Sequence, residues 1–222
     1  MRSLKVPPPT HNHGHIIHKG HHVQVQTGDA VYDQGMMLKF HYKPIHVKAN
    51  KDDPKRVVID LSDLGYIEVK PPETPANEPP LKNYAKRANI YSPTEHSLAG
   101  SQVDMEVQFI HELEQCDITE SNFDRPNLAI ISIMYKMMQK PRKPDDRGDY
   151  LPQEGEEIDF MKTLFDRYHD FYYYKGTKKS PPVYDFAHWF VLNKVLHMTE
   201  RKLNYLRQAW EDEVAFTNVR IL

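Results

Sequence analysis

Residues 104–111, Asp-Met-Glu-Val-Gln-Phe-Ile-His, constrain this chain most. Side chains alternate across a strand, so Met105, Val107, Phe109 and His111 share one face. Glu106, Gln108 and Ile110 share the other. A segment with this period is a poor amphipathic helix, and it does not stand alone. Met37–Tyr42 places Leu38, Phe40 and Tyr42 on one side. Val57–Leu61 and Tyr66–Lys70 read as short strands around Gly65, and Asn127–Met138 as a buried strand in which Lys136 is the interruption. Val183–Leu192 is a strongly apolar strand. Lys70–Pro80 contains five prolines and is loop or edge. Strands this numerous and this short predict one β-dominated α+β domain.

Helical signals are few. Glu156–Tyr168 carries Ile158, Met161, Leu164, Phe165 and Tyr168 at helical spacing, which predicts a helix. Thr199 is placed to cap a helix carrying Leu203, Leu206 and Trp210. Lys140–Glu157 is polar and rich in Pro, Gly and charge, a surface excursion. Residues 1–22 read as an extended arm rich in His and Pro, with the folded domain over 23–222. Six of the 13 histidines fall within His11–His22.

A length of 222 residues fits one domain. A formal net charge of −2 gives no argument for nucleic acid or an anionic membrane as partner. One cysteine, Cys116, excludes an internal disulfide and favours a reducing, intracellular setting. No apolar run reaches the roughly 20 residues that span a bilayer, so no transmembrane segment is expected. Residues 1–28 lack the apolar block of a secretory signal, and Pro7–Pro9 breaks an early amphipathic helix. The expected location is intracellular, mitochondrial or cytoplasmic.

Four stretches, in order, carry a resemblance. The first is Val31-Tyr32-Asp33 with Leu38, Phe40, Tyr42, Lys43 and Pro44. The second is Ala88–His111, with Ser92, Pro93, Glu95, His96, Gly100, Glu106 and His111. The third is Asn127–Ile133. The fourth is Tyr174-Lys175-Gly176 followed by Ser180-Pro181-Pro182 and Trp189. Together they resemble the α-class carbonic anhydrases. The resemblance implies a single domain around a large, mostly antiparallel, twisted sheet with short peripheral helices.

In that family, zinc is held by three imidazoles, two from an x-His-x-His strand and one from the next strand. The resemblance sets those ligands at Asn89, Tyr91 and Gln108, and none is a histidine. Amides and a phenol of pKa about 10 are poor zinc ligands at neutral pH. Their polar groups are expected to hydrogen-bond one another or a trapped water. The buried glutamate of the family's hydroxyl relay falls on Glu95, its threonine on Lys179 with Ser180 beside it, and its proton-shuttle histidine on Tyr66. A charged Lys179 cannot accept a hydrogen bond, and it is expected to reach and neutralise Glu95. Glu95, His96 and His111 are read as structural.

These departures predict a carbonic-anhydrase-related protein that is not an enzyme. It would hold no cofactor and no metal at the family's site. It would serve as a structural or interaction subunit of a larger, intracellular and mitochondrial or cytoplasmic, assembly with other protein subunits as partners. Two other readings stand beside it: a zinc-dependent carbonic anhydrase with atypical ligands, and metal binding by His11, His13, His15, His18, His21 and His22, since imidazole suits zinc, copper and nickel. Phe171–Tyr174 would bury two aromatics and turn two outward, a hint of an interface.

Overall fold

The structure is a computed structural model. It describes residues 15–16, 21–24, 37–46, 48–50, 58–71, 74–92, 94–97, 102–114, 126–138, 155, 157–177 and 186–199. These residues form β1 (His15–Ile16), β2 (His21–Gln24), β3 (Met37–Tyr42), β4 (Ile45–His46), β5 (Lys48–Asn50), β6 (Val58–Asp60), β7 (Gly65–Lys70), β8 (Leu81–Tyr91), β9 (His96–Ser97), β10 (Met105–Leu113), β11 (Leu128–Met138), β12 (Glu157–Ile158), β13 (Asp170–Thr177), β14 (Phe186–Leu192) and β15 (Leu196–Thr199). The molecule is strand-dominated, as the alternation predicts.

One large mixed sheet runs β2-β13-β14-β11-β10-β8-β6-β5, with β7 on β8, β3 on β7 and β15 on β11. β10 sits at its centre between the two longest strands, antiparallel to both. The outer edge of β8 is shared by β6, opposite Arg87–Asn89, and β7, opposite Leu81–Tyr84. The outer edge of β11 is likewise shared by β14 and β15, here in parallel. The remaining pairs of this sheet are antiparallel. Two short sheets lie apart from it: β1 with β9, parallel, and β12 with β4, antiparallel. The backbone of His15–Ile16 and His21–Gln24 is thus hydrogen-bonded to the remainder of the fold. At the start of β7, Gly65 has a φ of 121°, and a Cβ there would run into the backbone carbonyl of His41. That close approach requires glycine.

The main core lies on one face of the sheet. Met105, Val107 and Phe109 of β10 pack there with Ala88 and Ile90 of β8, Ile131 and Ile133 of β11, and Phe190 of β14. Leu38 joins them, and Phe40 and Tyr42 pack against the cluster, so the periodicity over 37–42 is used as expected.

The helix expected over 156–168 is not formed as such. Residues 157–158 pair with β4, and a π-helical turn spans Met161–Phe165. The Asp166 amide bonds to the carbonyl five residues back, on Met161, at 2.7 Å. The apolar stripe is still buried, through Ile158, Leu164 and Phe165, with Met161 and Tyr168 against them. Strand pairing at Ile158 removes the first turn a longer helix would need. Thr199 closes β15, opposite Met138. The helix expected beyond it lies outside the described residues, as do Cys116 and Val31–Asp33. Among the described residues, no helix is long and apolar enough to cross a membrane.

Candidate functional site

Antiparallel register sets Gln108 opposite Asn89 and Glu106 opposite Tyr91. On the other side of β10, Gln108 is opposite Ser132. Directly opposed residues share a face, as do residues two apart. Asn89, Tyr91, Glu106, Gln108 and Ser132 therefore gather on the face away from the main core. All five are buried, and Glu106, Gln108 and Ser132 are 0% exposed.

Glu106 is the hub. Its Oε2 accepts the backbone amides of Glu95 (2.8 Å) and His96 (3.0 Å). Its Oε1 meets His96 Nδ1 at 2.6 Å and accepts from Gln108 Nε2 at 2.8 Å and Ser132 Oγ at 2.7 Å. Burial alone pushes this carboxyl up. The His96 imidazole and the converging donors outweigh burial and bring it down to about 2, so Glu106 is a carboxylate at any ordinary pH. On the far side of the ring, His96 Nε2 meets Tyr174 Oη at 2.6 Å. Trp189 lies parallel to Tyr174 at 5.9 Å between centroids and edge-on to His96 at 4.9 Å. Burial, with the Glu106 and Glu95 charges, holds the Tyr174 phenol well above its ordinary range. Tyr174 is thus a member of this network. Of the run Phe171–Tyr174, Phe171 and Tyr173 are buried and Tyr172 and Tyr174 partly so.

The loop before β10 aims the amides of Glu95 and His96. Ser92 Oγ donates to the Asp104 carbonyl at 2.8 Å, and Gln102 Nε2 to the Thr94 carbonyl at 2.8 Å. Thr94 Oγ1 donates to the His96 carbonyl at 2.7 Å and accepts from the Val103 amide at 3.2 Å. The loop is tied to itself across its width, so the two amides arrive at Glu106 already oriented.

Asn89, Tyr91, Gln108 and Glu95 come together. Asn89 Nδ2 donates to Tyr91 Oη at 3.1 Å, and Gln108 Nε2 donates to Glu95 Oε2 at 3.1 Å. Tyr66 lies elsewhere. It is opposite Tyr84, five positions before Asn89 on β8, or about 16 Å along the strand. Its ring stacks on His41 at 4.4 Å between centroids. Lys179 and Ser180 lie outside the described residues, and with them the expected Lys179–Glu95 pair. His11, His13 and His18 lie outside as well. The backbone of His15 is opposite His96, and that of His21 and His22 opposite Tyr173 and Tyr172. Sequence reasoning weighed Glu95 and passed over Glu106 as the hub. An acid flanked directly by Met105 and Val107 in a strand was the available signal.

The donor set at the three ligand positions is amide, phenol and amide. Zinc favours imidazole and thiolate, and Gln108 commits its amide nitrogen to two carboxylates. These residues do not fit zinc. Among the described residues, no three His, Cys, Asp or Glu side chains are grouped to hold a metal ion.

Opposite this network, in the main core, His111 makes a smaller one. Its Nε2 meets Tyr42 Oη at 2.6 Å and its Nδ1 meets the Ala129 carbonyl at 3.0 Å. The carbonyl can only accept, so Nδ1 carries the proton and Nε2 accepts from the phenol. Burial brings His111 down to about 4, which keeps the ring neutral, and pushes the Tyr42 phenol up.

Comparison with known proteins gives a consistent answer. The dioscorin dioA3 of Dioscorea japonica is 22% identical over 210 residues, covering 90% of this chain and 70% of its own length. Dioscorin DB3S of Dioscorea polystachya is 26% identical with the same coverage. Among solved structures, dioscorin complexed with ascorbate superposes with a TM-score of 0.58 at 22% identity, over 90% of this chain and 79% of that one. The Photobacterium profundum α-carbonic anhydrase gives 0.54 at 15% identity, over 97% and 88%. At such identities these likenesses establish the fold. The family model of eukaryotic-type carbonic anhydrases matches residues 84–221. That match runs over more than half of the chain and takes in the strands that carry Asn89, Glu106, Ser132 and Tyr174, so this chain belongs to the eukaryotic-type carbonic anhydrase family.

Proposed function

We propose that this protein is a non-catalytic member of its family, a pseudoenzyme that serves as a structural or interaction subunit of a larger assembly. One observation carries the reading. At the positions where a catalytic member needs three imidazoles, this chain has Asn89, Tyr91 and Gln108, and both amide nitrogens donate to neighbouring protein oxygens. Hydration of carbon dioxide in this family depends on a metal-bound water brought to a pKa of about 7, and nothing in this donor set favours that chemistry. At this point Glu106 and its five donors tie β10 to β11 and to the loop between β8 and β10 through protein groups alone.

The experiment has two arms. The full chain, purified without chelator and dialysed against zinc, is assayed for bound metal and for carbon dioxide hydration. Substoichiometric zinc and a rate no faster than buffer are expected, and stoichiometric zinc with hydration activity overturns the reading. Affinity purification from the native source tests the subunit role. Defined co-purifying chains are expected, and recovery as a lone monomer counts against it.

A further inference from the structure

Two buried oxygens in this site accept no hydrogen bond from the described protein: Asn89 Oδ1 and Gln108 Oε1. Their residues are 1% and 0% exposed, so bulk water does not serve them. Native interiors rarely leave such acceptors without a donor. We propose that Asn89 and Gln108 together hold one small hydrogen-bond donor, a water or an ammonium ion, at the position where zinc-binding relatives hold their metal.

The geometry supports a shared ligand. Asn89 and Gln108 are directly opposed on neighbouring strands, which sets their Cβ atoms about 5 Å apart on the same face. Both nitrogens turn toward the row of Tyr91 and Glu106: Asn89 Nδ2 to Tyr91 Oη, Gln108 Nε2 to Glu106 and Glu95. Each oxygen is presented on the other side of its amide. The Gln108 amide cannot be turned over, because that would aim its oxygen at carboxylate oxygens, which only accept. A donor with both partners at about 2.9 Å spans two such oxygens, and a buried water needs two to four polar partners.

The same lining decides the ligand class. Among the described residues, the polar groups near the position include amide oxygens, the Tyr91 phenol and the Glu95 and Glu106 carboxylates. An anion finds no donor in Asn89 or Gln108, whose N–H groups are engaged. At the three family ligand positions a soft metal finds no imidazole or thiolate. A small neutral or singly positive molecule with at least two N–H or O–H groups fits.

This inference rests on the proposed loss of zinc, and the test separates the two. Crystals of the full chain are grown in ammonium-free buffer at atomic resolution. Parallel crystals are soaked in ammonium chloride and in sodium bromide, and anomalous data are collected at the zinc and bromine edges. Expected is a single peak within about 3.2 Å of both oxygens, with no anomalous signal. The peak should be lost in Gln108→Leu and retained in Ser132→Ala, which removes a neighbouring hydroxyl but neither acceptor. In solution, a 15N-ammonium resonance protected from exchange identifies ammonium; a retained crystallographic peak without it identifies water. A bromide peak, or no peak at the pair in wild-type crystals, overturns the donor site and leaves the proposed function standing. An anomalous zinc peak bonded to Gln108 overturns both.

Discussion

On one face of β10, Met105, Val107 and Phe109 touch apolar neighbours. On the other, Glu106 and Gln108 are no more exposed, yet they are held by directed hydrogen bonds. The apolar face is held by volume. Each contact is worth little alone, and a methylene lost in one place is partly recovered by relaxation around it. The polar face is held by pairing. Glu106 gathers five donors from three stretches of chain, residues 95–96, β10 and β11, and removing it takes one acceptor from all five at once. Two surfaces equally dry are therefore unequal in how they fail.

The strongest break of this comparison is Glu106→Leu, which keeps bulk and removes the charge. It should cost about 3–5 kcal/mol in chemical denaturation, as expected when one partner of a buried ionic pair is deleted. A cost under about 1 kcal/mol would show that the donors repair themselves as an apolar face does.

Acid should separate the faces. His111 is depressed from 6.5 to about 4. As pH falls through that window, the unfolded chain takes up a proton that the folded chain refuses, and stability drops. Glu106 is depressed from 4.5 to about 2, so its contribution is present above 4.5 and is lost between 4.5 and 2. Each step corresponds to about 3 kcal/mol. Denaturation midpoints between pH 7 and 2 should lose the upper step in His111→Asn and the lower step in Glu106→Gln. A single common step in both variants would deny that the faces titrate independently.

Smaller effects refine the picture. Tyr42→Phe removes the donor to His111 Nε2 and should cost about 2 kcal/mol, since a buried acceptor is left unpaired. Ile131→Val, a lost methylene on the apolar face, should cost about 1 kcal/mol. If the isoleucine proves costlier than the tyrosine, volume outweighs pairing even where the two chemistries meet in one core.

Periodicity told which side chains of β10 share a face, because a pleat has period two. It could not tell that both faces are dry. Met-Glu-Val-Gln-Phe normally reads as a half-exposed strand, and the burial of Glu106 and Gln108 depends on partners distant in sequence, such as Tyr174 and Ser132. The same limit explains the choice between two glutamates. Glu95 and Glu106 were both legible as acids near the site, and the loop bonds through Ser92, Thr94 and Gln102 decide which one the amides reach. Over 156–168 the apolar spacing was read correctly and its backbone was not. Burial of Ile158, Leu164 and Phe165 is satisfied equally by a strand end and one wide turn.

The shared edge of β11 has a consequence in time. Leu128–Met138 is completed on its outer side by β14 and β15, made from residues 186–199. On the ribosome, this most apolar strand is synthesised long before the segments that cover it. At about 5–20 residues per second, its open edge waits for seconds, and unpaired apolar edges of this kind recruit other chains. A message truncated before residue 199 would leave the centre of the sheet permanently half-zipped. Such fragments should be found with chaperones or in aggregates, and the protein's yield in a cell should depend on how promptly residues 186–199 are made.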